Sequence, residues 1–130
     1  MIATKLMMTP RAGCDRDRSR PEMAGTAVTV CDPQGRLLSA APAFYALTGY
    51  TAPELVGRTL SRLQGPGTDP ASIEMFRHLI GRCEAGIVEI LNYRKSGEPF
   101  WMRCHLRPIA TPSGSPHLFV TTHEDAANVR

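Results

Sequence analysis

Apolar positions alternate with polar ones in five short segments of the chain, and this pattern predicts β-strands. The segments cover residues 26–31, 36–40, 87–94, 99–109 and 117–123. Turn-forming residues separate the first segment from the second and the third from the fourth. Because tight hairpins join antiparallel strands, the sequence predicts an antiparallel sheet.

A helical pattern occupies the stretch between the second and third strands. A first helix is predicted from Pro42 to a C-cap at Gly49, and two shorter ones follow, one starting at the capping box of Thr51 and one ending at Leu63. The longest helix is predicted over residues 70–84, with one apolar face. The predicted fold class is therefore α+β, a five-stranded antiparallel sheet with short helices packed on one face.

The chain of 130 residues has the length of one domain. Residues 1–25 lack a sustained periodicity and are predicted to be a flexible extension or a short helix. The domain itself is predicted over residues 26–125, with a polar tail at residues 126–130.

The charge and the cysteine content indicate the cellular environment of the protein and the kinds of partner to expect. The net charge of +3 is too small to indicate nucleic acid, and no apolar run is long enough to indicate a membrane span. The four cysteines have no spacing typical of zinc sites, which predicts free thiols in a reducing cytoplasm; they are Cys14, Cys31, Cys83 and Cys104.

The stretch from Gly57 to Pro70, GRTLSRLQGPGTDP, joins two predicted helices through a Gly-Pro-Gly loop. Pro70 suits the first position of a helix, and Thr68 or Asp69 suits its N-cap. Backbone N–H groups and arginine side chains meet here, a combination that is able to hold the anionic tail of a cofactor.

The order of elements, together with AVTVCDPQGRLLSAAPAFYALTGYTAPELVGR, resembles a PAS domain. LQGPGTDP and the later LNYRKSGEPFWMRCHLRPI resemble the LOV subgroup, the flavin-binding blue-light sensors. The resemblance covers about residues 26–125. It implies a PAS fold, a role in signal transduction, and FMN as the cofactor, with FAD as the other candidate.

LOV domains carry a photoactive cysteine, followed by a phosphate-binding arginine, just after the Gly-Arg pair. In this chain Leu60 stands at the cysteine position and Ser61 at the arginine position, with Arg62 adjacent. Leu63 and Gln64 match the pattern. The resemblance thus implies a flavin site without the usual cysteinyl adduct, and it names no catalytic residue.

The resemblance to LOV domains extends to further positions, which are compared one at a time. Arg77 matches a second phosphate-binding arginine, and Asn92 matches the first of two asparagines at the flavin pyrimidine edge. Met102 replaces the second asparagine, and His123 replaces the glutamine beside the flavin N5. The complete set of candidate cofactor-binding residues is Gln64, Arg77, Asn92, Arg62, Thr29, Phe44, Leu60, Leu63, Met102, Cys104, Leu106, Phe119 and His123.

Strand alternation supports one pocket, because alternate residues share a face. If Asn92 faces inward, so do Met102, Cys104, Leu106, Phe119 and His123. For Met102, Cys104 and Phe119 a plain core position is the alternative. The outer face then carries Ile87, Leu91, Trp101, Val120 and Thr122. An apolar outer face predicts a homodimer through this surface and the N-terminal extension, with an unknown effector protein.

Without the cysteine, photoreduction of the flavin is the expected response to light. Tyr45, Tyr93 or Trp101 would donate the electron, and His123 would exchange the proton, titrating near neutral pH. A rescue adduct through Cys31 or Cys104 is the less favoured route, since buried thiols are usually inert.

Two other kinds of module remain open from the residues alone. One is a ligand-free PAS dimerisation module, and the other is a haem-binding PAS domain with His78 or His123 as axial ligand. No arrangement typical of an enzyme or a metal site is visible in the sequence, so neither is expected.

Overall fold

The computed structural model describes residues 25–112 and 117–129. Its five strands are β1 (Ala27–Cys31), β2 (Leu37–Ala40), β3 (Gly86–Tyr93), β4 (Pro99–Ile109) and β5 (Leu118–Asp125). Its α-helices are α1 (Pro42–Thr48), α2 (Ala52–Leu55) and α3 (Pro70–Gly81), with 3-10 helices at Leu60–Leu63 and Ala126–Val129. The predicted N-terminal extension lies outside the described residues, apart from Gly25.

The five strands form one antiparallel sheet in the order β2-β1-β5-β4-β3. Two hairpins, β1–β2 and β3–β4, lie at the two ends of this order, and β5 joins them in the middle. All the helices between β2 and β3 form the crossover from one edge of the sheet to the other. The predicted fold class is confirmed.

Local sequence signals set most of the helix ends as predicted. Gly49 ends α1 with a positive φ of 84°, and the capping box of Thr51 and Glu54 starts α2. Asp69 is the N-cap of α3 and accepts a hydrogen bond from the Ala71 N–H at 2.9 Å. Pro70 is the first residue of α3, as expected.

Two predicted boundaries were wrong. Helix α3 ends at Gly81 and not near Glu84, because Cys83 adopts a φ of +52° and the Glu84 N–H turns back to the Leu79 carbonyl. Strand β5 continues past His123 to Asp125, since Glu124 and Asp125 still pair with β4. Ala126–Val129, within the predicted polar tail, form a 3-10 helix.

One face of the sheet is buried beneath the helices, and strand alternation determines which residues it carries. The inward residues of β3, β4 and β5 include all those predicted, and each is at most 6% exposed. They are Val88, Ile90, Asn92, Phe100, Met102, Cys104, Leu106, Phe119, Thr121 and His123. This row contains three polar side chains, which is unusual for a plain core.

The helical layer is tied to the outer edge of β3 by two hydroxyl groups. The Thr68 hydroxyl donates to the Leu91 carbonyl at 2.7 Å, and the Ser72 hydroxyl donates to the Glu89 carbonyl at 3.0 Å. At the opposite edge, the Gly57 N–H donates to the Leu37 carbonyl at 2.7 Å. These bonds satisfy edge carbonyls of the sheet and hold the crossover above its inner face.

The Gly-Pro-Gly loop packs against Tyr93 so closely that Gly65 has no room for a side chain. A Cβ atom at Gly65 would lie 2.3 Å from the Tyr93 ring. Tyr93 is itself held in place, because its hydroxyl accepts the Gly67 N–H at 2.8 Å. The glycine is therefore required by close packing.

We expect Gly65→Ala to lower the free energy of unfolding by about 1–3 kcal/mol, because the new methyl group displaces Tyr93. Gly81→Ala is the matched control, since a Cβ at Gly81 meets no atom within 4 Å, and it is expected to be neutral or stabilising. Urea unfolding of the two variants measures the difference. Equal effects of the two substitutions would contradict this account of the loop.

Candidate functional site

A cavity of about 380 Å³ lies between the inner face of the sheet, α3 and the 3-10 helix Leu60–Leu63. Its volume is within the range of about 300–1,000 Å³ that is usual for small-molecule sites. All the predicted site residues except Phe44 and Arg62 line it, namely Thr29, Leu60, Leu63, Gln64, Arg77, Asn92, Met102, Cys104, Leu106, Phe119 and His123.

Phe44 and Arg62 lie outside the cavity wall. Phe44 is fully buried behind it, and its ring packs against that of His123 with centroids 4.8 Å apart. Arg62 donates to the Glu54 carbonyl at 2.9 Å and lies over the Tyr50 ring. Its guanidinium is engaged there and does not line the cavity, where the sequence analysis had expected it.

Several lining residues were not among the predicted site residues, and they come mainly from two elements. Helix α3 contributes Ile73, Phe76 and Ile80, whose helical spacing was visible in the sequence. The turn after β1 contributes Gln34 and Gly35, which no sequence signal placed near α3. The others are Cys31, Thr59, Ser61, Ile90 and Thr121.

Asn92 is a polar side chain on a largely apolar part of the cavity wall. One of its polar atoms has no hydrogen-bond partner. It is 5% exposed, and its Nδ2 donates to the Met102 sulfur at 3.4 Å. Its Oδ1 is the one buried side-chain oxygen or nitrogen without a partner among the described residues. An unpaired buried amide oxygen costs about 1–3 kcal/mol, so it indicates a place for a ligand that donates a hydrogen bond.

His123 is held through both ring nitrogens in the middle of the sheet. Its Nε2 is 2.8 Å from the Thr29 hydroxyl, and its Nδ1 is 3.3 Å from both the Cys104 and the Met102 sulfur atoms. With Phe44 against the ring, the imidazole has a fixed orientation. The register of β1, β5 and β4 brings these partners together.

Burial keeps the titratable groups of the cavity wall neutral. It lowers the pKa of His123 from 6.5 to about 3, because the imidazolium would lose its hydration. The predicted titration of His123 near neutral pH is therefore wrong. Burial also raises the pKa of the Cys31 thiol to about 11 and that of Cys104 further still. Neither thiol supplies a thiolate at neutral pH.

The exposed part of the cavity lining carries an arginine and two hydroxyl groups. Arg77 lies on α3 and pairs with Glu74 at 3.0 Å, with both side chains largely exposed. Such exposed pairs are weak, so the guanidinium is available to an anion. The hydroxyls of Thr59 and Ser61, which are 3.0 Å apart, belong to exposed residues that also line the cavity.

The three candidate electron donors do not line the cavity, and neither does His78, one of the two alternative haem ligands. Tyr93 contacts the Gly-Pro-Gly loop, and Trp101 is 46% exposed on the outer face of the sheet. Tyr45 packs edge-on against Phe44, with centroids 6.0 Å apart, so an aromatic contact leads from it towards His123. His78 is exposed on α3 and does not line the cavity.

The outer face of the sheet combines exposed apolar side chains with a charged centre. Ile87 is 62% exposed and Trp101 46%. Between them and β5, Arg103 pairs with Glu89 at 2.7 Å and lies 3.7 Å from Glu124. This face is therefore partly apolar and partly charged.

Neither a metal cluster nor a membrane span was found in the part of the chain that the structure describes. No group of three or more histidine, cysteine, aspartate or glutamate residues is arranged to hold a metal ion there. The helices within residues 25–112 and 117–129 are all too short or too polar to cross a membrane.

The sequence profile of the PAS domain family matches residues 25–126. The chain therefore belongs to the PAS family. A blue-light-activated histidine kinase of Brucella anthropi is 43% identical over 93 residues, which make up 72% of this chain and 19% of that kinase. The chain thus spans about a fifth of the length of such relatives.

Solved structures show which kind of PAS domain the chain resembles. The LOV domain of a blue-light activated histidine kinase from Erythrobacter litoralis has 32% identity and a TM-score of 0.71, covering 77% of this chain and 94% of that one. The LOV domain of the blue-light photoreceptor Aureochrome1 has 29% identity and a TM-score of 0.72, covering 80% and 84%. The chain is a LOV-like PAS sensory domain, similar to those of blue-light photoreceptors.

Lowering the pH is expected to destabilise the protein through His123. The unfolded chain binds a proton near pH 6.5 that the folded protein excludes down to about pH 3, so stability is lost as the pH falls through this window. The loss from this residue is about 2 kcal/mol between pH 6.5 and 5. Urea unfolding at both pH values measures it.

His123→Gln is the control, because glutamine keeps a polar side chain but does not titrate. The other histidines are common to both proteins, so the difference between the two pH dependences isolates His123. Parallel pH dependences of the two proteins would contradict a buried, neutral imidazole.

Proposed function

We propose that the chain is a light-sensing module that binds FMN noncovalently in the cavity and does not form the usual cysteinyl adduct. The observation that carries the proposal is the unpaired Oδ1 of Asn92 on the wall of the 380 Å³ cavity. A ring N–H of the flavin pyrimidine edge would satisfy this oxygen. FAD is the second candidate cofactor.

The residues of the cavity suit the two ends of such a ligand. The apolar walls, which include Leu60, Ile90 and Phe119, would enclose the ring system. Arg77 and the two exposed hydroxyls would hold the phosphate. A bound flavin supplies the absorption of blue light and a ring that takes up electrons and a proton.

The positions of the thiols support the proposed lack of adduct chemistry. Leu60 begins the 3-10 helix that lines the cavity, at the position where the LOV pattern has its cysteine. The thiols that do line the cavity, Cys31 and Cys104, are on β1 and β4 and are held protonated by burial. We propose photoreduction of the flavin as the response to light. Tyr45 is the proposed electron donor, because its ring contacts Phe44 and the Phe44 ring contacts His123 in the cavity wall.

Haem is a poorer fit to the same cavity. Both nitrogens of His123 are engaged with neighbouring side chains, and His78 is exposed and does not line the cavity. The absorption spectrum of the purified protein, before and after the addition of FMN or FAD, separates flavin, haem and ligand-free states. Bleaching of the flavin band under blue light, with slow recovery in the dark, is the expected response. A light-inert flavin spectrum would contradict photoreduction.

Arg77→Ala is expected to weaken FMN binding about tenfold, because a charged phosphate contact is worth about 1.5 kcal/mol. Binding of riboflavin, which lacks the phosphate, should be unchanged in the same variant. Arg62→Ala is the matched control, since Arg62 lies outside the cavity wall. Fluorescence titration gives the dissociation constants, and equal losses for FMN and riboflavin would place the phosphate elsewhere.

Asn92→Leu is expected to act in opposite directions on binding and on stability. It removes the unpaired buried oxygen at nearly constant volume, so the empty protein should gain about 1 kcal/mol of unfolding free energy. It should weaken FMN and riboflavin alike by about tenfold. Loss of stability without loss of flavin affinity would show that Asn92 has only a structural role.

We further propose that two copies of the chain associate through the outer face of the sheet and signal to an effector in the cytoplasm. The exposed Ile87 and Trp101 support a partner of the same kind, a second apolar sheet face. Light scattering should show a dimer that Trp101→Glu converts to monomer. Met75→Glu, an equally exposed apolar position on α3, is the control. A dimer unaffected by Trp101→Glu would exclude this face.

A further inference from the structure

Three soft donor atoms meet on the inner face of the sheet. The Nδ1 atom of His123 lies 3.3 Å from the Cys104 sulfur and 3.3 Å from the Met102 sulfur. Met102 and Cys104 are alternate residues of β4, and Cys104 pairs directly with His123 of β5 in the register of the sheet. All three side chains are at most 5% exposed and line the cavity. An ion in the cavity therefore meets three ligands on two adjacent strands.

These donors are of the kind that binds copper(I). Thiolate and thioether sulfur are soft ligands that favour Cu(I), and imidazole is a common ligand of copper. The methionine distinguishes the group from clusters of histidine, cysteine and carboxylate, none of which was found among the described residues. No carboxylate is among the described residues that line the cavity, so its wall does not favour a hard ion such as Mg²⁺.

The buried position of the ligands selects a monovalent ion. A thiol that binds a metal loses its proton, so Cu(I) would replace the proton of Cys104. The proton passes to water through the exposed part of the cavity lining, and no electron is transferred. One Cu(I) and one thiolate make a neutral pair, whereas Zn(II) would leave a net positive charge in a buried wall.

His123 is already oriented as a metal ligand. The tautomer that donates its Nε2 proton to the Thr29 hydroxyl, 2.8 Å away, leaves the Nδ1 lone pair facing the two sulfur atoms. A ligating histidine is usually fixed in this way, through a hydrogen bond from its other nitrogen. The ring also packs against Phe44, and burial lowers its pKa to about 3, so the ring carries no second proton at neutral pH.

The distances between the donor atoms are close to those of a three-coordinate site. With metal–nitrogen and metal–sulfur bonds of about 2.0 and 2.3 Å, a planar three-coordinate ion separates its nitrogen from each sulfur by about 3.7 Å. Both sulfur atoms lie 3.3 Å from Nδ1, so each would withdraw by about 0.4 Å to admit the ion. The Met102 side chain is flexible enough for this movement, and the cavity beside it provides the space.

We propose that the cavity wall contains a Cu(I) site, in which the sulfur atoms of Met102 and Cys104 and the Nδ1 atom of His123 bind one ion. A soft monovalent cation would then be a second ligand of the sensory domain. The site is independent of the proposed flavin, because this chain supplies all three ligands.

Anaerobic titration of the flavin-free full chain with Cu(I), against a chromogenic Cu(I) chelator, tests the site. The chain carries Cys14→Ser and Cys83→Ser, which remove the two thiols that have no place in the proposal. We expect one Cu(I) per chain and the release of one proton per ion, measured with a pH indicator. Zn(II) should bind at least about 100-fold more weakly than Cu(I), because of its second charge.

Substitutions in the same chain identify the ligands. Cys104→Ser should weaken Cu(I) binding about 100-fold, and Met102→Leu about tenfold, since a thioether is a neutral and weaker ligand. Met102→Leu is a near-isosteric core change, so it should fold even if Cys104→Ser does not. Cys31→Ser is the matched control, because Cys31 lines the same cavity but is not one of the three ligands; its affinity for Cu(I) should be unchanged.

Carbon NMR of methionine-labelled protein separates ligation from a structural effect. The methyl signal of Met102, identified by its loss in Met102→Leu, should shift when Cu(I) binds. An unshifted signal would overturn the proposed ligand set, as would an equal loss of affinity in Cys31→Ser and Cys104→Ser. Absence of Cu(I) binding, or tighter binding of Zn(II), would overturn the site itself. Since no flavin is present in these titrations, their results do not depend on the proposed function.

Discussion

The attachment of the helical crossover to the edge of β3 is the interaction on which the site depends. The hydroxyls of Thr68 and Ser72 satisfy two edge carbonyls of the strand, and the Gly-Pro-Gly loop lies against Tyr93. Each hydrogen bond contributes only about 1 kcal/mol, but together they set the height of α3 above the sheet. The cavity is the space left beneath α3, so its volume follows from this attachment.

A second constraint is the cost of polar groups inside that space. Thr29, Asn92, Thr121 and His123 are buried on a face that is otherwise apolar. Thr29 and His123 satisfy one another, while the Asn92 oxygen has no partner within the described residues. Since natural cores rarely leave such a group unpaired, the arrangement supports the proposal of a binding site over that of a plain core. Neutrality of the thiols and the imidazole follows from the same burial.

Most of the fold and many of the site residues were predictable because they depend on short-range order. Strand alternation placed Asn92, Met102, Cys104 and His123 on one face, and capping residues marked the starts of α2 and α3. The end of α3 was not predictable, because Cys83 adopts a left-handed conformation that few side chains favour. The side chain of Arg62 was misplaced because its partner, the Glu54 carbonyl, is a backbone group with no sequence signature.

The amino-acid sequence by itself determined the order of strands and helices and the inward face of the sheet, since these are properties of neighbouring residues. Only the tertiary structure decided that Asn92 keeps an unpaired oxygen and that His123 remains neutral. Both depend on desolvation and on partners from other strands, Thr29 and Cys104 among them, and neither burial nor contact between distant strands can be read from local sequence.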